Sequence, residues 1–243
     1  MEKCRGLPLA AKTLGGLLQS EVEADEWRNI LNSEIWDLPI DKSSILPALR
    51  LSYYHLPPLL KRCFAYCSIF PKSYEFKKEK LLLLWMAEGF LQQPSGNDTM
   101  EEAGDKYFGE LLSRLFFQPS TQKKQCFMMH DLINDLAQFA SGEFCCEFEH
   151  GKPYKILGKV RHFAYLMDGA EKFEDLMQVR TLRTFLPLSF SNGNCPALSE
   201  IVSTTWLPEN KHLHVLSCQK ITKLPTTRCN LLCLRYLDLS LKL

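Results

Sequence analysis

The second half of the chain repeats a short apolar frame, and this repetition limits its possible folds more than any other feature. The frame, apolar-x-x-apolar-x-apolar, lies at Val160/Phe163/Tyr165, at Leu213/Leu216/Cys218 and at Leu234/Leu237/Leu239. A looser copy sits at Leu182/Phe185, with Pro187 in its third slot. Successive copies start 22, 31 and 21 residues apart. A strand this short cannot bury its own apolar face. Recurrence at twenty-odd residues therefore predicts strands stacked side by side, each completing its neighbour's core. The long interval holds Ser189 to Trp206, rich in Ser, Asn, Gly and Pro, which reads as an insertion at the edge of the stack.

Ahead of the repeats the periodicity is helical. Pro8 suits the first turn of a helix, where its missing N–H costs nothing, and Leu9, Leu14, Leu17 and Leu18 follow as an apolar face. Trp27, Ile30, Leu31 and Ile35 repeat helical spacing, and Ser43 or Ser44 can cap a third helix carrying Ile45, Leu49 and Leu51. Leu59 to Phe70 is a crowded aromatic helix that Pro71 ends, and Lys77 to Leu91 is another, with Leu81, Leu84, Trp85, Met86 and Phe90. Met100 to Phe116 is acidic in its first turn, which suits the positive end of a helix dipole. Phe116-Phe117-Gln118 and Cys126 to Met129 flank a polar turn and predict a short β-hairpin, the wing of a winged-helix unit. Asp131 is placed to cap a closing helix with Leu132, Ile133, Leu136, Ala137 and Ala140 on one face.

Charge and cysteine usage narrow the function classes. The net charge is +1, so no global field attracts nucleic acid or anionic lipid. Between Pro57 and Gly142 the basic and acidic residues balance one for one, and a winged helix that read DNA would carry a basic stripe instead. The ten cysteines include no Cys-x-x-Cys pair and sit among apolar residues, which predicts small buried hydrophobes in a reducing cytoplasmic compartment rather than a metal site or a disulfide framework. Glu2-Lys3-Cys4-Arg5 does not open a signal peptide. The longest apolar run, Leu81 to Ala87, is far shorter than the ~20 residues of a membrane-spanning helix. No nucleophile elbow, His-Glu-x-x-His or carboxylate pair in a motif context marks an enzyme. His212-Leu213-His214 reads as solvent-facing polar positions around a strand residue.

Five segments in order carry a resemblance: Gly6-Leu7-Pro8-Leu9-Ala10, Cys63 to Pro71, Leu84 to Phe90, Met129-His130-Asp131, and Leu234 to Ser240. Together they resemble plant intracellular immune receptors of the nucleotide-binding leucine-rich-repeat family, in their coiled-coil class. The resemblance implies a mostly α fold with a small β wing, followed by the α/β start of a leucine-rich-repeat solenoid. Its parts are a helical GLPLA subdomain at 1–56, a winged-helix domain with the MHD motif at 57–145, and a linker with the first repeats at 146–243. It also implies a switch in plant defence, held off by ADP and opened by ATP. Met129, His130 and Asp131 are then the switch residues. His130 reaches the β-phosphate, Asp131 holds the turn by capping, and Pro8 packs against adenine. Pathogen effectors, guarded host proteins and other receptor subunits are the implied partners.

The chain departs from that family in one large respect. It has no Gly-x-x-x-x-Gly-Lys-[Ser/Thr] and no apolar strand ending in paired aspartates, so the phosphate cradle and the magnesium ligands are absent from these residues. Thr226-Thr227-Arg228-Cys229 replaces the usual Asp-Ser-Ile-Gly turn. The expectation is a receptor fragment that by itself binds no nucleotide, with His130 as a plain capping or core histidine and Pro8 as a helix initiator. The alternative is a non-signalling interaction module that binds or titrates full-length receptors.

Overall fold

The structure is a computed structural model that describes residue 4 and residues 6–20, 24–37, 46–93, 98–148, 158–166, 179–188, 206–217 and 231–238. The chain divides into two compact units. One comprises Met1–Cys67, Lys72–Leu82 and Leu91–Ala140, and the other Ser68–Pro71, Leu83–Phe90 and Ser141–Leu243.

The first unit opens on a turn that its sequence spells out. Gly6, at φ +72°, bends the chain so that the Leu7 carbonyl accepts from Ala11 N–H and Pro8 becomes the first residue of α1 (Pro8–Ser20). Ala10 packs with Cys4 and Ala48, and Leu17 with Ile30 and Leu51. These contacts gather α1, α2 (Ala24–Leu31) and α3 (Pro47–Tyr54). Two expectations change here. Among the described side chains of α2, Ile30 alone is buried, while Trp27 and Leu31, one turn apart, lie on the outer side at 48% and 60% exposure. The N-cap of α3 is Leu46, with no side-chain cap bond, and Pro47 supplies the preset φ instead. Ser43 and Ser44 lie outside the described residues.

The winged-helix part of this unit follows the pattern closely. α4 (Pro58–Tyr66) tightens into a 3-10 turn at Cys67–Ile69, and α6 (Met100–Ser113) begins on a capping box. In that box Glu102 N–H donates to Thr99 Oγ1, and Thr99 N–H donates to the Glu102 carboxylate at 2.7 Å. The hairpin pairs β2 (Gln118–Pro119) with β3 (Cys126–Met128). A third strand that the sequence reading did not foresee, β1 (Phe76–Lys77), takes the residue expected to open a helix, Lys77, and pairs with the other edge of β3 just before α5 (Lys78–Glu88). Rings interlock behind this sheet, with Phe108 4.8 Å from Phe127 and 5.2 Å from Phe117, and Phe64 4.7 Å from Phe116. Across the wing, Ser120 hydroxyl donates to the Glu75 carboxylate and accepts from the N–H groups of Gln122 and Lys123. α7 (Asp131–Ser141) closes the part.

The second unit is built on a five-stranded parallel sheet in chain order: β4 (Cys145–Phe148), β5 (His162–Leu166), β6 (Thr184–Leu188), β7 (Val215–Ser217) and β8 (Tyr236–Asp238). The repeated frame sits in register. Phe163 pairs with Phe185, Phe185 with Leu216, and Leu216 with Leu237. Val160, Phe163, Leu182, Phe185, Leu213 and Leu216, the first and second positions of the first three frames, form the core with Val179, Trp206 and Leu207. Leu234 packs partly buried against it, Leu237 of the last frame is exposed, and the rings of Phe163 and Phe185 stack at 6.2 Å. Trp206, which the sequence assigned to the end of an insertion at the edge of the stack, is buried at 1% exposure against Phe185. The rest of that insertion, the Thr226–Cys229 turn and Leu241 to Leu243 lie outside the described residues. β4 has no frame of its own and was not foreseen. Phe144, just before it, offers its carbonyl to Arg161 and His162 N–H, which extends the ladder by one strand.

Candidate functional site

Met129, His130 and Asp131 lie where β3 gives way to α7. Met129 is buried, whereas His130 and Asp131 face solvent. The His130 carbonyl accepts from Ile133 and Asn134 N–H at 2.8 and 2.9 Å, which makes His130 the N-cap. Its ring completes the cap, because Nδ1 accepts from Leu132 N–H at 3.2 Å. A ring nitrogen that accepts carries no proton, so the imidazole proton is on Nε2, directed away from the cap and able to donate. Asp131 is therefore not the cap that the sequence suggested. It is the first helical residue, where its charge meets the positive end of the α7 dipole. Pro8 lies apart from this corner in the chain, exposed at the start of α1.

A second cluster, in the other unit, was missed by sequence reasoning. α5 ends in a Schellman turn: Gly89 at φ +69° donates its N–H to the Met86 carbonyl, and Phe90 N–H donates to the Trp85 carbonyl. The turn leaves Glu88 as the last helical residue, with its carboxylate wholly buried. Thr184 Oγ1 donates to Glu88 Oε1 at 2.6 Å, and His214 Nδ1 lies 3.2 Å from Oε2. His162 Nδ1 is 3.1 Å from Thr184 Oγ1 and 3.6 Å from Glu88 Oε1. The Thr184 proton is committed to Glu88, so His162 Nδ1–H is directed to the threonine oxygen and shared with the Glu88 carboxylate. Arg235 Nη1 donates to the Ala87 carbonyl at 3.4 Å, a cation at the negative end of α5.

Burial resists ionisation of Glu88. The hydrogen bond and charge of His162, the Thr184 hydroxyl and the charge of His214 outweigh it and hold the carboxyl below its usual range. Burial, with the cations of Arg235 and Arg183, pushes the His214 imidazole down against the opposing pull of Glu88. His214 is thus a partly buried donor turned to Glu88, rather than the solvent-facing position expected of it, while His212 is exposed. The frame could have aligned His162 with Thr184, since each precedes a core phenylalanine. Nothing in it points to residue 88.

Among the described residues no group of three His, Cys, Asp or Glu is placed to hold a metal ion, and no helix is long and apolar enough to cross a membrane. Cys67 Sγ–H donates to the Cys63 carbonyl, and burial pushes the Cys63 thiol up.

Residues 69–137 match the winged-helix domain of disease resistance proteins. An RPP13-like disease resistance protein of Arabidopsis thaliana is 52% identical over 99% of this chain, which spans 23% of that relative. Disease resistance protein RGA2 of Solanum bulbocastanum is 55% identical over 56% of the chain and 14% of its own length. Disease resistance protein RPM1 of Arabidopsis thaliana is 36% identical over 56% of the chain and 15% of its own length. The chain carries the winged-helix domain of plant disease resistance proteins and is related to that family along nearly its whole length. It spans less than a quarter of the length of these relatives.

Proposed function

We propose that this chain is the winged-helix and first-repeat portion of a cytoplasmic plant immune receptor whose state is set by ADP or ATP at the N-terminus of α7. Its parallel sheet, with the frame in register, is then the opening of a leucine-rich-repeat solenoid. The observation that supports the reading best is His130. Capping commits Nδ1 to the helix, which leaves Nε2–H as an outward donor at the positive end of the α7 dipole. That combination suits a phosphate oxygen. Met129 anchors the corner in the core, and Asp131 and His130 together set how it presents to nucleotide. Pro8 contributes a rigid apolar edge for adenine. Effectors, guarded host proteins and other receptor subunits are the protein partners of the whole receptor.

The 243 residues contain no phosphate cradle, so calorimetry on this chain gives ADP affinity no better than about millimolar, the level left when one donor and a helix terminus act alone. The decisive experiment places the segment in a receptor with a P-loop domain. There, His130→Ala and Asp131→Val each lower retained ADP, and Asp131→Val triggers cell death without a pathogen. Unchanged ADP retention in both variants, with no spontaneous death, counts against the reading.

A further inference from the structure

Glu88 occupies a position that is unfavourable in isolation. It sits at the C-terminal end of α5, where the helix dipole repels an anion, and it is removed from water. Every compensating side-chain group identified lies on the sheet side of the same unit. Thr184 and His162 are register mates on β6 and β5, and His214 leads into β7. Arg235, leading into β8, holds the carbonyl of Ala87. His162 and Thr184 each precede a core phenylalanine, so the pleat turns them to the sheet face opposite that core. Phe90 buries its ring 5.9 Å from the His162 ring on that face. The Schellman turn delivers both Glu88 and Phe90 to the sheet, while Gly89 makes the reversal possible.

We propose that Glu88 is a polar latch that fastens residues 83–90 to the β5–β7 face, and that its loss frees this segment while the strands stay paired to one another. The energetics give two states. When docked, the carboxylate has matched donors; when undocked, it regains water and escapes the helix end. Intermediate arrangements strand a buried charge and are disfavoured. The latch is a property of this chain and does not depend on nucleotide.

The test is hydrogen exchange on the full 243-residue chain. Glu88→Gln replaces one acceptor by a donor facing donors, and the amides of Gly89 and Phe90 are expected to exchange about tenfold faster or more, as for loss of a charged hydrogen bond. The amides of Thr184 and Val215, which bond to the carbonyls of Arg161 and Arg183, change much less, and β3 is unaffected. His214→Asn keeps an N–H near the Nδ1 position and stays near wild type, whereas His214→Leu opens the segment. This pair carries the test if Glu88→Gln does not fold. Unchanged exchange at 89–90, equal acceleration of all strands in the unit, or identical behaviour of the Asn and Leu variants would each overturn the latch.

Discussion

At the scale of single residues, His130 and Asp131 divide one helix terminus between a cap and a charge. Replacing the imidazole by a methyl group leaves Leu132 N–H without its side-chain acceptor, so His130→Ala is expected to cost about 0.5–2 kcal/mol. Asp131→Val removes only a favourable dipole interaction at an exposed position, about 0.3–1 kcal/mol. Urea unfolding of the two variants, compared at equal m-value, checks the order. A larger loss for Asp131→Val than for His130→Ala sinks this assignment of the cap. The sequence led to Asp131 because aspartate is the commoner cap. It could not show that the helix begins one residue earlier, at a ring nitrogen able to accept.

At the scale of elements, local chemistry and close packing are read with unequal ease. The start of α1 was legible because Pro8 fixes its own φ and Gly6 tolerates the positive φ that the turn needs. The start of α6 was equally open to reading, since Thr99 followed by Glu102 is the capping-box signature, although only the acidic turn was recognised in advance. The brief β1 was not legible. Two residues carry no period, and Phe76 and Lys77 become a strand only because β3 offers a free edge. Gly104 belongs to the same class of hidden constraint. It lies in α6, and a Cβ there would come within 2.9 Å of Leu82 Cγ and 3.3 Å of Leu91 Cδ1. Gly104→Val is therefore expected to destabilise by about 1–3 kcal/mol through overpacking, despite the helix entropy it saves. A thermal melt equal to or above wild type would show that Leu82 and Leu91 can give way.

At the scale of the whole molecule, the buried Glu88 cluster ties stability to pH. His214 has its folded pKa below the ordinary 6.5, so the unfolded chain binds more protons as pH falls from 6.5 towards the folded value, and stability declines there. Glu88 has its folded pKa below 4.5, so its contribution is present above 4.5 and is lost as pH falls through the folded value. The groups facing these two are Thr184, His162, Arg235 and Arg183. Denaturation of the wild type is expected to show declining stability from pH 7.5 to 5.5 and again below 4.5. Glu88→Gln should lack the lower step. A wild-type profile flat from pH 7.5 to 4 would mean that neither group titrates differently on folding.

The sequence by itself determined the helices, the wing and the framed strands, though not β1 or β4. Helical spacing gave α1 to α7 within a few residues, the polar turn gave the wing, and the recurring frame gave the strand register from Phe163 to Leu237. Each of these signals is local, or repeats at a fixed interval, and burial of one face is enough to impose it. Tertiary structure alone decided which side of α2 is covered and that Trp206 enters the core. It also decided that residues 88, 162, 184 and 214 meet. Such meetings depend on where a helix end comes to rest against a sheet. The packing of the whole unit selects that position, and no periodicity along the chain records it.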